Sequence, residues 1–84
     1  MRYSIEIRSK VKKYLLTLDE NLRGRISRRI DKLTDNPRPA DCKKLKTRDA
    51  YRIRVGDYRV IYEIHDDVLV VLVIRAAHRR DAYS

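Results

Sequence analysis

The stretch YRIRVGDYRVIY, Tyr51 to Tyr62, alternates apolar and polar residues on both sides of a Gly-Asp pair. A period of two is the pattern of a strand with one buried face, and a two-residue turn with glycine first joins two such runs into a β-hairpin. With Gly56-Asp57 as the loop, Val55 pairs with Tyr58, Ile53 faces Val60, and Tyr51 faces Tyr62, all on the inward side. The outward side then sets Arg54 directly across from Arg59 and Arg52 across from Ile61. Like charges opposed across a strand pair cost roughly 0.2–1 kcal/mol. Such a face wants an anion above it, and guanidinium forks match phosphate geometry while staying charged at any working pH.

Downstream, Asp66-Asp67 suits a second two-residue turn, and Val68 to Ile74 is apolar at every position. That run predicts a central strand covered on both faces. The same turn places Ile74 beside Arg59. The chain then continues through RAAHRRDAY, residues 75–83, which brings His78, Arg79 and Tyr83 toward the arginine face. Arginines, an imidazole and a phenol are groups that phosphoryl chemistry on RNA uses as charge stabilisers and proton carriers. Glu63 falls on the same predicted strand face as Arg59 and Ile61, where it is a weaker proton acceptor or the partner of a nearby arginine.

Upstream, Tyr3, Ile5 and Ile7 alternate with polar residues as a short first strand. Ser9 is the expected N-cap of a helix whose stripe is Val11, Tyr14, Leu15 and Leu18. Asp19-Glu20-Asn21 starts a second helix with Leu22, Ile26, Ile30 and Leu33 along one face. Its other face carries Arg23, Arg25, Arg28, Arg29 and Lys32 against the single acid Asp31. A charge run of this kind reads first as a solvated face, and otherwise as contact with RNA or an acidic partner. Asn36-Pro37 and Pro39 end the helix. Residues 38 to 50 read as a loop with a short strand around Leu45, followed by a meander of strands near 50–55, 58–65 and 68–76. The predicted fold is α+β: an N-terminal strand, a two-helix hairpin, then an antiparallel β-meander, with both helices packed on one sheet face.

Eighty-four residues suit one domain, 1–84, with a thin core. The single cysteine, Cys42, excludes an internal disulfide and reads as a small buried or loop residue in a reducing cytoplasm. The N-terminus MRYSIEIRSK lacks the apolar core of a signal peptide, and the longest apolar run is too short to span a bilayer as a helix. A soluble, cytoplasmic protein without a membrane partner is expected. The net charge of +9 exceeds what solubility requires and points to a polyanion or an acidic protein as partner.

The block YRIRVGDYRVIYEI, the apolar strand after it and HRRDAY near the C-terminus resemble the RelE toxins of the RelE/ParE superfamily. The first strand, the two helices, the proline-containing loop and Lys44-Leu45-Lys46 also fit, so the resemblance spans essentially the whole chain. It implies the toxin of a type II toxin–antitoxin pair that cleaves mRNA in the ribosomal A site. In that reaction the 2′-hydroxyl attacks the adjacent phosphate and leaves a cyclic phosphate and a free 5′-hydroxyl, with no metal and no cofactor. The implied partners are an acidic RelB-like antitoxin, the 70S ribosome with its mRNA, and operator DNA reached only through the toxin–antitoxin complex.

Position by position, the resemblance gives Arg59 to the scissile phosphate and Arg79 to the transition state. Tyr83 matches the terminal tyrosine that orients the nucleophile or stacks on a base. Arg52 and Arg54 stand where the best-studied branch carries lysines. An arginine cannot usefully act as a base, so these two clamp phosphate or stabilise charge and the proton acceptor stays open, with His78, whose ordinary pKa is ~6.5, the natural local candidate and Tyr83 and Glu63 weaker ones. Lys44, Lys46, Arg25, Arg29 and Arg80 are expected on mRNA or rRNA phosphates. Two other readings stay open: a ParE-like DNA gyrase inhibitor without RNase activity, and an inactive homologue that only binds antitoxin and operator.

Overall fold

The computed structural model describes residues 2–81. The chain runs β1 (Ser4–Ile7), α1 (Ser9–Leu16), α2 (Glu20–Lys32), β2 (Lys43–Lys44), β3 (Tyr51–Val55), β4 (Tyr58–His65) and β5 (Val70–His78), the expected α+β order. The strands form one sheet in the order β1-β5-β4-β3-β2. Val11 and Leu15 of α1, and Ile26, Ile30 and Leu33 along α2, pack with Ile53, Val60, Tyr62, Val71 and Val73 into one apolar cluster. Among the described residues, the other sheet face carries no helix.

Each helix begins where local chemistry dictates. Asp19 caps α2, its carboxylate accepting the Leu22 N–H at 3.0 Å. Ser9 is not the cap of α1 but its first helical residue, preceded by an extended Arg8 with no side-chain cap bond. The reason is that the Arg8 N–H still donates to the Val73 carbonyl at 3.1 Å, so the chain turns from strand to helix without a spacer. Leu18 lies beyond the end of α1, half-buried in the connection to α2.

The sheet departs from the meander at β1, which runs parallel to β5 with Ser4 against Val70 and Ile7 against Val73. That pairing alters the neighbouring turn. The expected two-residue turn at Asp66-Asp67 is a four-residue turn reaching Leu69, whose φ is 54°. A left-handed leucine costs about 1–2 kcal/mol, and the Leu69 carbonyl gains the Ser4 N–H at 2.8 Å, the first rung of the parallel ladder. Val68 is therefore an exposed turn residue rather than the start of a buried strand. The expectation of a strand covered on both faces also changes: Val71 and Val73 are fully buried under the helices, whereas Val70 and Leu72 on the open face are half-buried.

A second irregularity sits in the β4–β5 ladder. Tyr62 pairs with Val73, but Ile61 pairs with Arg75, leaving Ile74 as the extra residue of a bulge. Without it, strict alternation would carry Arg75 inward behind Val73, where an unpaired cation costs several kcal/mol. The bulge turns Arg75 out and puts Ala76 in the core.

The end of the sheet remote from the arginine hairpin is tied by Asp66. Its carboxylate accepts Arg38 Nη2 at 2.9 Å and the Tyr3 hydroxyl at 2.5 Å. Arg38 Nε also donates to the Tyr51 hydroxyl at 3.3 Å. The Arg38 and Tyr3 hydrogen bonds hold the Asp66 carboxyl below the usual carboxylate range. A depressed pKa contributes stability above the unfolded value, and that contribution is lost as pH falls through the folded one. Thermal melts should therefore show wild type more stable than Asp66→Asn near neutrality, with the two curves converging under acid. A constant gap across that range would reject the assignment.

Candidate functional site

The β3–β4 hairpin has the register its alternation dictates: Val55 opposite Tyr58, Ile53 opposite Val60, Tyr51 opposite Tyr62. Gly56 has φ 59°, the glycine-first conformation that a tight hairpin turn requires. Arg54 stands opposite Arg59 on the open face, and Arg59 in turn faces Ala77 of β5. Beyond the end of β5 the Arg79 N–H donates to the Asp57 carbonyl at 2.7 Å, so the hairpin tip holds the C-terminal turn. Arg75 reinforces that turn from below, its Nη2 donating to the Asp81 carbonyl at 2.6 Å.

These hydrogen bonds bring Arg54, Arg59 and Arg79 together with Gly56 and Asp57 around a hollow of about 90 Å³. Arg59 is only 9 % exposed, a nearly buried cation in a cluster of cations. Burying a charge is costly, so Arg59 is held in place by the surrounding fold rather than swinging free in solvent as a surface arginine does. The small side chain of Ala77 leaves room beside it on the strand, and large residues at 70–74 give way to Ala76-Ala77 at that level. Neither Ala77 nor Asp57 is singled out by the sequence pattern. The Ala-Ala break in an otherwise bulky strand is the signal that marks the first, and Asp57 reads only as a turn residue.

The other predicted residues divide. Arg52 is half-buried on the same sheet face one row away, between Lys43 and Ile61, and does not line the hollow. Arg25 and Arg29 line a neighbouring hollow between α2 and the hairpin tip, and Arg29 is ion-paired with Asp41. Lys44 and Lys46 stay at the far edge of the sheet, Lys44 paired with Asp49 at 3.5 Å. Arg80 follows Arg79 in the exposed turn. Tyr83 lies outside the described residues.

His78 requires a correction. It pairs with Tyr58 and stands edge-on to its ring, centroids 5.2 Å apart, on the helix side of the sheet. Its Nδ1 accepts the Arg80 N–H at 3.3 Å. His78 therefore does not join the arginine hollow, because the bulge inverts the facing of everything after Ile74. Glu63 is also engaged elsewhere, accepting Arg48 at 3.1 Å and contacting His65 at 2.9 Å.

The geometry defines a basic α+β protein with an arginine-lined hollow at the tip of a sheet. A family profile described as the ParE toxin of type II toxin–antitoxin system, parDE, matches residues 5–83. A candidate toxin RelE1 of Methanocaldococcus jannaschii is 32 % identical over all of this chain and 98 % of its own length. A candidate RelE-like toxin of Escherichia coli is 27 % identical over all of this chain and 93 % of its own. The chain in the crystal structure of the archaeal RelE–RelB complex from Pyrococcus horikoshii OT3 superposes with a TM-score of 0.86 at 33 % identity, covering 98 % of this chain and all of that one. The chain belongs to the RelE/ParE family of toxins of type II toxin–antitoxin systems, on its RelE-like side. Among the described residues, no helix is long and apolar enough to cross a membrane.

Proposed function

We propose that this toxin is a ribosome-dependent endoribonuclease that cuts mRNA in the A site, with the scissile phosphate seated in the Arg54–Arg59–Arg79 hollow. The observation that carries the reading is the nearly buried Arg59, facing Arg54 and joined by Arg79 from a separate segment. The 2′-oxygen forms a bond to phosphorus while the bond to the 5′-oxygen breaks, giving a cyclic phosphate and a 5′-hydroxyl. Charge grows on the non-bridging oxygens, where preorganised guanidinium donors act most strongly. Asp57 supplies the one carboxylate among the described residues lining the hollow, and it takes the 2′-proton in place of His78. The departing 5′-oxygen is protonated by water.

The partners of this reading are the 70S ribosome with its mRNA and an acidic RelB-like antitoxin, with operator DNA reached through that complex. The antitoxin is supported by the RelE–RelB complex of the Pyrococcus relative and by the charge of +9. The match to a ParE profile keeps gyrase inhibition as a second reading, and supercoiling assays with purified toxin separate the two. Primer extension on mRNA from a translating extract tests the nuclease directly. Ribosome-dependent cuts are expected with wild type and should be lost in Asp57→Asn while ribosome binding persists. Undiminished cutting by Asp57→Asn removes the carboxylate from the mechanism, and no cutting by wild type removes the nuclease.

A further inference from the structure

We propose that the hollow between α2 and the hairpin tip is a second phosphate subsite, holding an RNA phosphate beside the one in the Arg54–Arg59–Arg79 hollow. The proposal rests on the RNA reading above and adds a separate, second anion to it. The hollow is about 350 Å³, walled by Arg25, Arg28, Arg29 and Lys32 from α2 and by Arg54 and Gly56 from the hairpin. The four α2 positions recur at spacings of three and four, so the helix stacks their side chains on one side. The opposite stripe, through Ile26 and Ile30, is buried in the core and holds that side outward. Like charges at such spacing repel, and a face meant only for solvent relieves this with interleaved acids.

Here Asp31 is the single acid interleaved with them, and it forms no ion pair with a lining cation among the described residues. Asp35, Asp66, Asp49 and Glu63 pair with Arg2, Arg38, Lys44 and Arg48. Asp41 answers Arg29 alone. Among the described residues, no carboxylate lies within ion-pair distance of Arg25, Arg28, Lys32 or Arg54. The hollow is thus an open surface cleft with cations on both walls and a net positive charge.

Continuity with the first hollow favours RNA over an acidic protein. Arg54 and Gly56 line both cavities, so anions in the two would be separated by a single guanidinium, as neighbouring phosphates on a strand require. Arg54 has donors enough to serve both at once. The Arg25 guanidinium comes within 3.6 Å of where a Cβ on Gly56 would stand, which closes helix and hairpin tip together over the rim. The phosphate belongs either to the cleaved strand or to ribosomal RNA.

Binding of uncleavable 2′-O-methyl RNA, measured across a salt series, tests this without any cleavage step. For single strands the log–log slope falls by about 0.7 for each phosphate that the protein no longer neutralises. Arg25→Gln/Arg28→Gln is expected to lower the slope by about that much on a longer oligomer and not at all on a dinucleotide with one phosphodiester. Arg25→Lys/Arg28→Lys keeps both charges and should retain the wild-type slope, separating charge from folding. If the reduction appears only on vacant ribosomes, the phosphate is ribosomal; if it appears on the free oligomer, it is the substrate's own. Unchanged slopes on both, or weakened binding of an acidic antitoxin peptide alone, overturn the subsite. A reduced slope in a protein that cuts no mRNA refutes only the nuclease, whereas active cutting with unchanged slopes refutes only the subsite.

Discussion

Arg59→Ala is expected to lower the rate of ribosome-dependent cleavage by about 10²–10³-fold, the usual cost of deleting one preorganised donor aimed at developing charge. Arg59 faces Arg54 across the hairpin and is nearly buried, so its charge acts in a medium that screens it weakly. Arg59→Lys keeps the charge but loses the planar fork, and its rate should fall between the two. Folding is a separate matter. The substitution also removes one of two opposed cations, so Tm should stay within about 5 °C of wild type, equivalent to ~1 kcal/mol for a domain of this size. Wild-type cutting by Arg59→Ala would end the phosphate-clamp reading, and a collapse in Tm would make the residue structural.

The largest effect on stability should come from Tyr62. Its side chain is fully buried at the centre of the sheet, and its ring stacks on Tyr51 with centroids 6.0 Å apart. The hydroxyl donates to the buried Pro37 carbonyl at 2.7 Å, tying the loop after α2 to β4. Burial, ahead of the neighbouring Cys42, pushes the phenol above its ordinary pKa, so it stays a donor throughout the usable pH range. Tyr62→Ala should cost about 3–5 kcal/mol, by analogy with other large aromatics truncated in a core. At ~0.05–0.15 kcal/mol per residue, that approaches the whole stability of the domain. Tyr62→Phe keeps the ring and strands one carbonyl, for about 1–3 kcal/mol. Denaturant titration distinguishes them, and equal losses in both variants would show that the hydroxyl, not the ring, holds the core.

The elements legible in the sequence are those whose signals are local. The hairpin register follows from strict alternation around Gly56-Asp57, and the start of α2 from Asp19. The end of the helical pair follows from Leu33 and the prolines behind it. The arginine face is legible for the same reason, since alternation alone sends Arg52, Arg54 and Arg59 to one side. The β5 register is not. Ala77, three residues beyond the expected Ile74, faces Arg59. Two of those three residues come from the longer turn at Leu69 and one from the bulge at Ile74. The even part moves His78 along the sheet, and the odd part moves it through to the other side.

The sequence by itself determined the α+β class, the hairpin and the outward arginines, because periodicity and turn chemistry operate within a few residues. The tertiary structure decided which proton-bearing group meets those arginines. It turned His78 to the helix side, left Asp57 as the carboxylate lining the arginine hollow among the described residues, seated Arg79 by its hydrogen bond to the hairpin tip, and opened a second cationic hollow against α2. The physical reason lies in two non-local demands on β5. It must offer the Leu69 carbonyl to β1, and it must keep the charge of Arg75 out of the core.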